Sequence, residues 1–240
     1  MITTIDDIVK LIDSHQFPCD NLTLLSDVFH ISAISISNKI NYSAEREKEY
    51  MNIIKKYDGG SRKVIAEIFA MLFLILSNQI DPAIGFNDHL GELYMKSNTS
   101  SKKAGQFFTP YHISRMVADT DLSKEIVENN DIITVCEPSC GSGGMIIATA
   151  DLLWNKYKVN YTEHLMVECS DIDSRCVHMA FVQFSLAGIP AIIYHQNALT
   201  KEYYSRWETP AYVINYRKFD KALRGNKNGY KRHNSRLQIL

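Results

Sequence analysis

The chain has 240 residues, of which 45% are hydrophobic and 22% are charged, a balance that excludes wholesale disorder. Its 26 Lys and Arg residues nearly offset its 27 Asp and Glu residues, which excludes a uniformly basic nucleic-acid coat protein. The charge is uneven, because residues 217–240 contain eight basic side chains and a single acid, Asp220. The length suits one sizeable domain, alone or with a helical appendage, followed here by a basic tail.

The first 95 residues are predicted to be helical. A helix begins near Ile5, and a second spans 44–57, with Ser43 as its N-cap. A third spans 62–79 and ends before Asp81-Pro82. The polar, small and basic residues 96–105 predict a linker.

Beyond the linker, β-rich runs alternate with helical periodicity. The predicted helices span 111–119, 145–154 and 174–186. The predicted strands span 132–136, 165–169, 191–194 and 212–214. Strands that alternate with helices of this length indicate a parallel sheet in an α/β domain.

Neither a membrane span nor a targeting segment is expected. The N-terminus lacks the basic-then-apolar order of a signal peptide. The longest apolar run, 64–76, is shorter than the about 20 residues that cross a bilayer. The five cysteines are odd in number and have no zinc-knuckle spacing, so we expect a cytoplasmic protein with free thiols and no metal site.

The sharpest motif is a glycine loop at 137–144, with the sequence EPSCGSGG. It follows a predicted strand and opens a predicted helix, where glycines let a ligand approach the backbone and helix amides favour a polar or anionic group. It is neither GxGxxG nor the GKS/GKT of a P-loop. A tight strand-to-helix turn without a ligand is the alternative.

Two polar segments follow the next predicted strands. Asp171 stands where a carboxylate of a nucleotide-binding βαβ unit accepts hydrogen bonds from ribose hydroxyls. Alternatively, Asp171 or Asp173 merely caps the next helix. Asn197, after the third strand, is placed to reach the edge of an adenine ring.

The segment 105–110, with the sequence GQFFTP, precedes these motifs. By itself it is compatible with an aromatic-anchored loop in which Thr109 caps a helix and Pro110 is the first helical residue.

The motifs occur in an order that resembles the N6-adenine DNA methyltransferases of restriction–modification systems. GQFFTP, EPSCGSGG and SDID lie within roughly 91–200, and the likeness is greatest to the modification subunit of type I systems and its phage- and plasmid-borne relatives. The resemblance implies a Rossmann-like sheet of the S-adenosylmethionine-dependent methyltransferases, here expected to be incomplete. It also implies DNA and a specificity subunit, or another subunit of such a system, as partners.

The resemblance assigns S-adenosylmethionine-binding roles by matching position. The residues that would contact its methionine moiety are Phe108, Thr109 and Pro110. Those that would form the glycine loop are Glu137, Pro138, Cys140, Gly141 and Gly143. Asp171 and Ile172 would hold the ribose and the adenine face. Asn197 stands where the family commonly has Asp near the cofactor's adenine, and its amide oxygen can still accept a hydrogen bond.

The chain departs from the family at the catalytic motif. That motif, Asn/Asp-Pro-Pro-Phe/Tyr, follows the fourth strand, and no Pro-Pro occurs in this sequence. Asn215 and Tyr216, after the predicted strand 212–214, keep a polar residue followed by an aromatic one and are the catalytic candidates. The alternative is a chance pair at a strand end.

The sequence thus predicts a helical region over 1–95, a linker over 96–105, a methyltransferase-like domain over 106–216 and a basic tail over 217–240. The leading hypothesis is an S-adenosylmethionine-dependent DNA adenine-N6 methyltransferase or modification subunit. One alternative is a catalytically inert cofactor-binding or assembly subunit, or a truncated enzyme, which the missing Pro-Pro favours. Another is a methyltransferase of small molecules or proteins.

Overall fold

A computed structural model describes residues 3–97, 108–216 and 218–219, and the backbone of 236–238. Five helices precede the first strand of the sheet in residues 3–97: α1 Ile5–Ser14, α2 Asn21–Ile40, α3 Ala44–Ile54, α4 Gly59–Leu76 and α5 His89–Ser97. The α-helices of the later residues are α6 Tyr111–Asp121, α7 Lys124–Asn129, α8 Gly144–Asp151, α9 Tyr161–His164, α10 Ser174–Ala187 and α11 Pro210–Ile214, and a π-helix, Leu152–Lys156, continues α8. The strands are β1 Ile133–Glu137, β2 Leu165–Asp171, β3 Ala191–Gln196, β4 Tyr203–Glu208 and β5 Arg236–Gln238.

Side-chain caps begin the N-terminal helices α1 to α4, and one of these caps was predicted from the sequence. Ser43 accepts a hydrogen bond from the Arg46 amide and begins α3, which confirms the predicted cap. The helix predicted over 62–79 begins earlier, at Gly59, because the Asp58 carboxylate accepts from the Ser61 amide at 2.6 Å. Gly59 and Gly60 are therefore the first two residues of α4 and do not end α3.

The sheet has the order β4-β3-β2-β1-β5, in which only β4 runs antiparallel to its neighbour. Cys169 of β2 lies opposite both Glu137 of β1 and Ile193 of β3, so the carboxyl ends of these strands meet at one edge. This edge carries the glycine loop, and the Rossmann-like α/β fold class is confirmed.

The strand predicted over 212–214 is wrong, because these residues belong to helix α11. Thr209 caps this helix and Pro210 occupies its first turn. A cap followed directly by proline begins a helix, and this local signal outweighs the β-rich Tyr-Val-Ile run. The fourth strand is β4, which forms an antiparallel hairpin with β3.

One hydrophobic core joins the N-terminal helices to the sheet. Helix α2 packs against α10, and the fully buried rings of Phe29, Phe181 and Phe184 belong to the same cluster. Burial of such side chains is worth about 1.5–3 kcal/mol each.

The predicted linker and tail lie largely outside the described residues. Of the segment 96–105, Lys96 and Ser97 complete α5, and 98–107 are not described. Of the segment 217–240, the structure describes Lys218, Phe219 and the backbone of 236–238.

No helix within the described ranges combines the length and apolar character needed to cross a membrane. The same residues contain no group of three or more His, Cys, Asp or Glu side chains arranged to hold a metal ion. All five cysteines are free thiols.

Candidate functional site

A cleft of about 320 Å³ lies at the carboxyl edge of β1 and β2, and we call it the glycine-loop cleft. Its volume falls within the range of small-molecule sites, about 300–1,000 Å³. The lining residues are Asp88, Phe108, Thr109, Ser114, Ser139, Cys140, Gly141, Ser142, Gly144, Met145, Asp171 and Ile172. Six of these were predicted from the sequence: Phe108, Thr109, Cys140, Gly141, Asp171 and Ile172.

The glycine loop is held by backbone contacts to the end of β2. The Cys140 amide donates to the Ser170 carbonyl at 2.9 Å, and the Ser170 hydroxyl donates to the Pro138 carbonyl at 2.9 Å. Gly143 has a φ of +103°, and a Cβ there would lie 2.5 Å from Cε1 of Phe184. Only glycine fits this position, so the role of Gly143 in the structure is to let the loop pass over α10.

Asp171 and Asp173 divide the two roles that the sequence left open. Asp173 caps α10 by accepting from the Arg175 amide at 2.9 Å. Asp171 instead accepts from the Gly141 amide at 2.9 Å and from the Asp173 amide at 2.9 Å, and its buried carboxylate lines the cleft. Each carboxylate oxygen has a second lone pair, so Asp171 retains the capacity to accept from a ligand hydroxyl.

Ile172 contributes apolar surface to the cleft. Its side chain is 59% exposed, although it directly follows a buried strand. An exposed aliphatic side chain beside a carboxylate is suited to the face of a planar ring with a neighbouring sugar.

Glu137 ends β1 beneath the loop and does not line the cleft. Its carboxylate accepts from the Ser139 amide at 3.1 Å. Burial, reinforced by the nearby charge of Asp171, raises the pKa of Glu137 to about 7.

Phe108 brings the FTP segment against the glycine loop. Its ring lies 3.2 Å from the position that a Cβ of Gly141 would take, and it meets the Tyr94 ring edge-on at 5.5 Å. Thr109 lines the cleft and does not cap α6, so the structure does not support the alternative in which this segment is only a capped loop. Pro110 itself takes the extended N-cap conformation, with ψ at 136°, which places it one residue before the helix.

A buried polar network, which the sequence did not predict, joins α5 and α10 to the glycine loop. Asp88 accepts from the Gly91 amide at 3.0 Å, from Gln183 Nε2 at 2.8 Å and from the Ser142 hydroxyl. Gln183 also donates to the Ser142 carbonyl at 2.7 Å and accepts from the Leu90 amide at 3.1 Å. Complete burial raises the pKa of Asp88 despite these donors.

Ser114 was also missed, and it provides an independent sign of a ligand. Its side chain is fully buried, lines the cleft, and has no hydrogen-bond partner for Oγ within the part of the chain that the structure describes. A buried polar atom without a partner is costly, and a polar group in the cleft would relieve that cost. The sequence carries no signal for Ser114 or Gln183, because both lie inside helices and are selected only by packing.

Asn197 does not line the cleft. Its amide oxygen accepts from the Leu199 amide at 2.9 Å and from the Thr200 amide at 3.1 Å, which closes the turn after β3. Pro110, Glu137, Pro138 and Gly143 are likewise outside the lining.

Asn215 and Tyr216 lie at the opposite edge of the sheet. Thr209, which begins α11, donates its amide to the carbonyl of Ala191, the first residue of β3. Tyr216 packs edge-on against Tyr212 at 5.9 Å, and Tyr212 packs against residues at the amino ends of β2 and β3. The structure therefore does not bring the two catalytic candidates to the glycine-loop cleft.

The sequence profile of the N-6 DNA methylase family matches residues 87–238, which is more than half of the chain. No curated protein matches significantly.

Three solved structures are similar, at low identity. A candidate class I S-adenosylmethionine-dependent methyltransferase from Listeria monocytogenes is 16% identical, with a TM-score of 0.41, and covers 75% of this chain and 55% of its own. The modification subunit of a candidate type I restriction enzyme from Vibrio vulnificus is 18% identical, with a TM-score of 0.41, and covers 60% of this chain and 28% of its own. A type I restriction–modification methyltransferase subunit from Streptococcus thermophilus is 13% identical, with a TM-score of 0.39, and covers 78% of this chain and 55% of its own. The chain thus spans about half the length, or less, of these proteins.

Proposed function

Because the chain belongs to the N-6 DNA methylase family, we propose that it binds S-adenosylmethionine in the glycine-loop cleft and acts in the methylation of adenine N6 in DNA. The observation that carries this proposal is the meeting of Phe108, Gly141 and Asp171 at one cleft, although they come from separate segments of the sequence. DNA and a specificity subunit are the proposed partners, in the cytoplasm.

The residues present fit the cofactor chemically. Asp171 would accept from the ribose hydroxyls, and Ile172 would cover a face of the adenine. Asp88, Ser114 and Phe108, which also line the cleft, would take the polar methionine moiety. There, Ser114 Oγ lacks a partner among the described residues, and the Asp88 carboxylate complements an ammonium group.

The chemistry that the cofactor supplies when bound is an electrophilic methyl group on a sulfonium. Asp171 and Ile172 would hold the nucleoside end of this cofactor, which would supply its methyl group to adenine N6 in exchange for a proton that N6 would release to water. The protein's part is mainly to orient N6 in line with the bond between the methyl group and the sulfonium. Asn215 and Tyr216 stay the catalytic candidates from the sequence, and the test of that role is whether Asn215→Ala abolishes methylation.

Cofactor binding is tested by calorimetric titration with S-adenosylhomocysteine. Asp171→Asn and Ile172→Ser should each weaken binding about tenfold, the loss expected for one hydrogen bond or one apolar face. Ile214→Ser is the matched control, because Ile214 is 81% exposed and lies at the far edge of the sheet. Absence of binding by the wild-type protein would refute the proposal, and so would equal affinities of all three variants.

Methyl transfer is tested separately, with labelled S-adenosylmethionine and unmethylated DNA. The assay is run with and without candidate specificity subunits, since type I relatives are named as subunits of larger systems. Label that appears in adenine with the wild-type protein and is lost with Asp171→Asn supports an enzymatic role.

A second function, a catalytically inert cofactor-binding or assembly subunit, is favoured by one observation. Asn215 and Tyr216 lie near the amino ends of the strands, whereas the glycine-loop cleft lies at the carboxyl ends. Tight cofactor binding without label in DNA, even with partner subunits present, would establish this alternative.

A further inference from the structure

A second cleft, of about 680 Å³, lies between the N-terminal helices and the β3–β4 hairpin. We call it the histidine cleft and define it by six of its lining residues: His30, Arg46, His178, Tyr203, Tyr204 and Trp207. They come from α2, α3, α10 and β4, and none of them lines the glycine-loop cleft.

His178 lines this cleft and has unused hydrogen-bonding capacity. Its ring stacks on His30 at 4.1 Å and meets the edge of Trp207 at 5.1 Å, and only 7% of the residue is exposed. No described residue forms a hydrogen bond with its ring nitrogens. Burial lowers the pKa of His178, so the neutral imidazole offers one donor and one acceptor.

Arg46 brings a positive charge that forms no ion pair with a described carboxylate. Its guanidinium lies 4.0 Å over the Trp207 ring and donates to the Arg206 carbonyl at 2.8 Å and to the Ser37 hydroxyl at 2.5 Å. Among the described residues, no carboxylate lies within 4.0 Å of it. Glu45 and Glu49 also line the cleft, and the charges of Glu49 and Glu208 act on Arg46 from beyond this distance.

Burial leaves the charge of Arg46 poorly solvated. Loss of water lowers the pKa of its guanidinium, although the charges of Glu49 and Glu208 oppose this shift. An anionic group that enters the cleft would restore that solvation, and a phosphate matches the forked donors of a guanidinium.

Two exposed tyrosines stand at the mouth of the cleft. Tyr203 is 58% exposed and Tyr204 is 46% exposed, and both lie on β4. The Tyr204 ring lies 4.6 Å from the His195 ring, which holds it at the cleft. Exposed aromatic rings beside a cation are the means by which proteins stack nucleic-acid bases.

We propose that the histidine cleft binds a nucleoside phosphate, with its phosphate at Arg46, its base against Tyr203 or Tyr204, and a polar edge of the nucleoside at His178. The ligand is either a free nucleotide or one unit of a nucleic-acid strand. This proposal does not depend on S-adenosylmethionine binding. The two clefts are nevertheless neighbours, since the His195 ring lies 3.1 Å from the Ile172 carbonyl, and Ile172 lines the glycine-loop cleft.

The test is calorimetric titration of the full chain with thymidine monophosphate, which lacks the adenine that the glycine-loop cleft would take. Arg46→Gln and His178→Phe should each weaken binding about tenfold or more, the loss expected for a charge-assisted or buried hydrogen bond. His178→Phe keeps an aromatic ring in the stack. It therefore still tests the site if Arg46→Gln, which removes the contact to Arg206, fails to fold.

Arg62→Gln is the matched control. Arg62 also donates to a backbone carbonyl of the helical region, that of Ile54 at 3.1 Å, but it lies outside the histidine cleft. Thymidine, which lacks the phosphate, should bind the wild type about tenfold more weakly than thymidine monophosphate does. In Arg46→Gln, the two ligands should bind with equal affinity.

Two further titrations identify the source of the ligand and its independence of the other cleft. Hexathymidylate that binds at least as tightly as the monophosphate, with the same dependence on Arg46, indicates a nucleic-acid strand; binding of the monophosphate alone indicates a free nucleotide. Saturating S-adenosylhomocysteine should leave both affinities unchanged. The proposal is overturned if neither probe binds the wild type, if both folded variants bind like Arg62→Gln, or if S-adenosylhomocysteine displaces the probe.

Discussion

The two clefts of this molecule differ in how the chain brings their residues together. Five of the twelve residues that line the glycine-loop cleft belong to one loop, whose backbone is fixed by hydrogen bonds to β2 and by the close packing of Gly143. The histidine cleft consists of side chains from four elements, and Arg46 and Trp207, which stack on each other, are 161 positions apart. A site made of local backbone leaves a motif in the sequence, whereas a site made of packed side chains leaves none.

The contrast also predicts how each cleft responds to substitution. A change in the loop should alter both the free energy of unfolding and ligand binding, because the same hydrogen bonds serve the fold and the cleft. A change in the histidine cleft should act mainly on its ligand. Three substitutions around the glycine loop test this difference.

The largest effect is expected from Gly143→Ala. The new Cβ would lie 2.5 Å from Phe184 Cε1, at a φ of +103°, so we expect a loss of about 4 kcal/mol in the free energy of unfolding. Gly188→Ala is the matched control, because Gly188 also has a positive φ, +72°, but its Cβ would lie 3.5 Å from its nearest neighbour. That control should cost about 1 kcal/mol.

Chemical denaturation measures both glycine variants. A similar loss in the free energy of unfolding for both variants would show that backbone strain, and not the contact with Phe184, is what requires glycine at residue 143. In any folded fraction of Gly143→Ala, S-adenosylhomocysteine binding should be lost while thymidine monophosphate binding is kept.

A smaller effect is expected from Gln183→Leu. The change leaves the Leu90 amide and the Ser142 carbonyl without their buried partner, and it removes a donor to Asp88. We expect a cost of about 2–3 kcal/mol in chemical denaturation, together with weaker binding of S-adenosylhomocysteine.

Gln79→Leu is the control for this network. Gln79 is also buried, but its hydrogen bonds to the Leu76 carbonyl and from the Asn87 amide are long, at 3.4 and 3.5 Å. Its replacement should cost less than about 1 kcal/mol. Equal costs for the two glutamines would mean that the network does not hold the loop.

The smallest effect concerns the pH dependence that Glu137 gives to stability. Its pKa is about 7 in the folded protein, above the ordinary value of 4.5, so the native state binds more protons between these pH values. The stabilisation is therefore complete below pH 4.5 and is lost as the pH rises through 7. Relative to Glu137→Gln, the wild type should lose about 1–2 kcal/mol across this window.

Denaturation curves between pH 4.5 and pH 8 measure this difference. Glu125→Gln, at an exposed position of α7, should run parallel to the wild type. Parallel curves for Glu137→Gln as well would contradict the raised pKa.

The strands and the helix starts were largely predictable because their causes are local. The strands at 133–137, 165–171 and 191–196 follow from short apolar runs, and Ser43 was identified as a cap from its own neighbours. Where two local signals compete, the sequence misleads. The run Tyr212–Ile214 is β-rich, but Thr209 and Pro210 make it a helix.

The cofactor motifs were likewise readable, since GQFFTP, EPSCGSGG and SDID each depend on a few consecutive residues. The family resemblance drawn from them is confirmed by the N-6 DNA methylase match. The individual binding roles stay predictions. Seven of the predicted residues do not line the cleft: Pro110, Glu137, Pro138, Gly143, Asn197, Asn215 and Tyr216.

The sequence by itself therefore determined the α/β class, the glycine loop and the family, because hydrogen bonds and steric limits between near neighbours fix them. Only the tertiary structure decided that Asp88 and Gln183 hold the loop, that Ser114 faces the cleft without a partner among the described residues, and that His178 and Arg46 form a second cleft. These groups meet because α2, α3, α5 and α10 pack into one core with the sheet. Such packing depends on contacts between distant segments, which no local pattern of residues records.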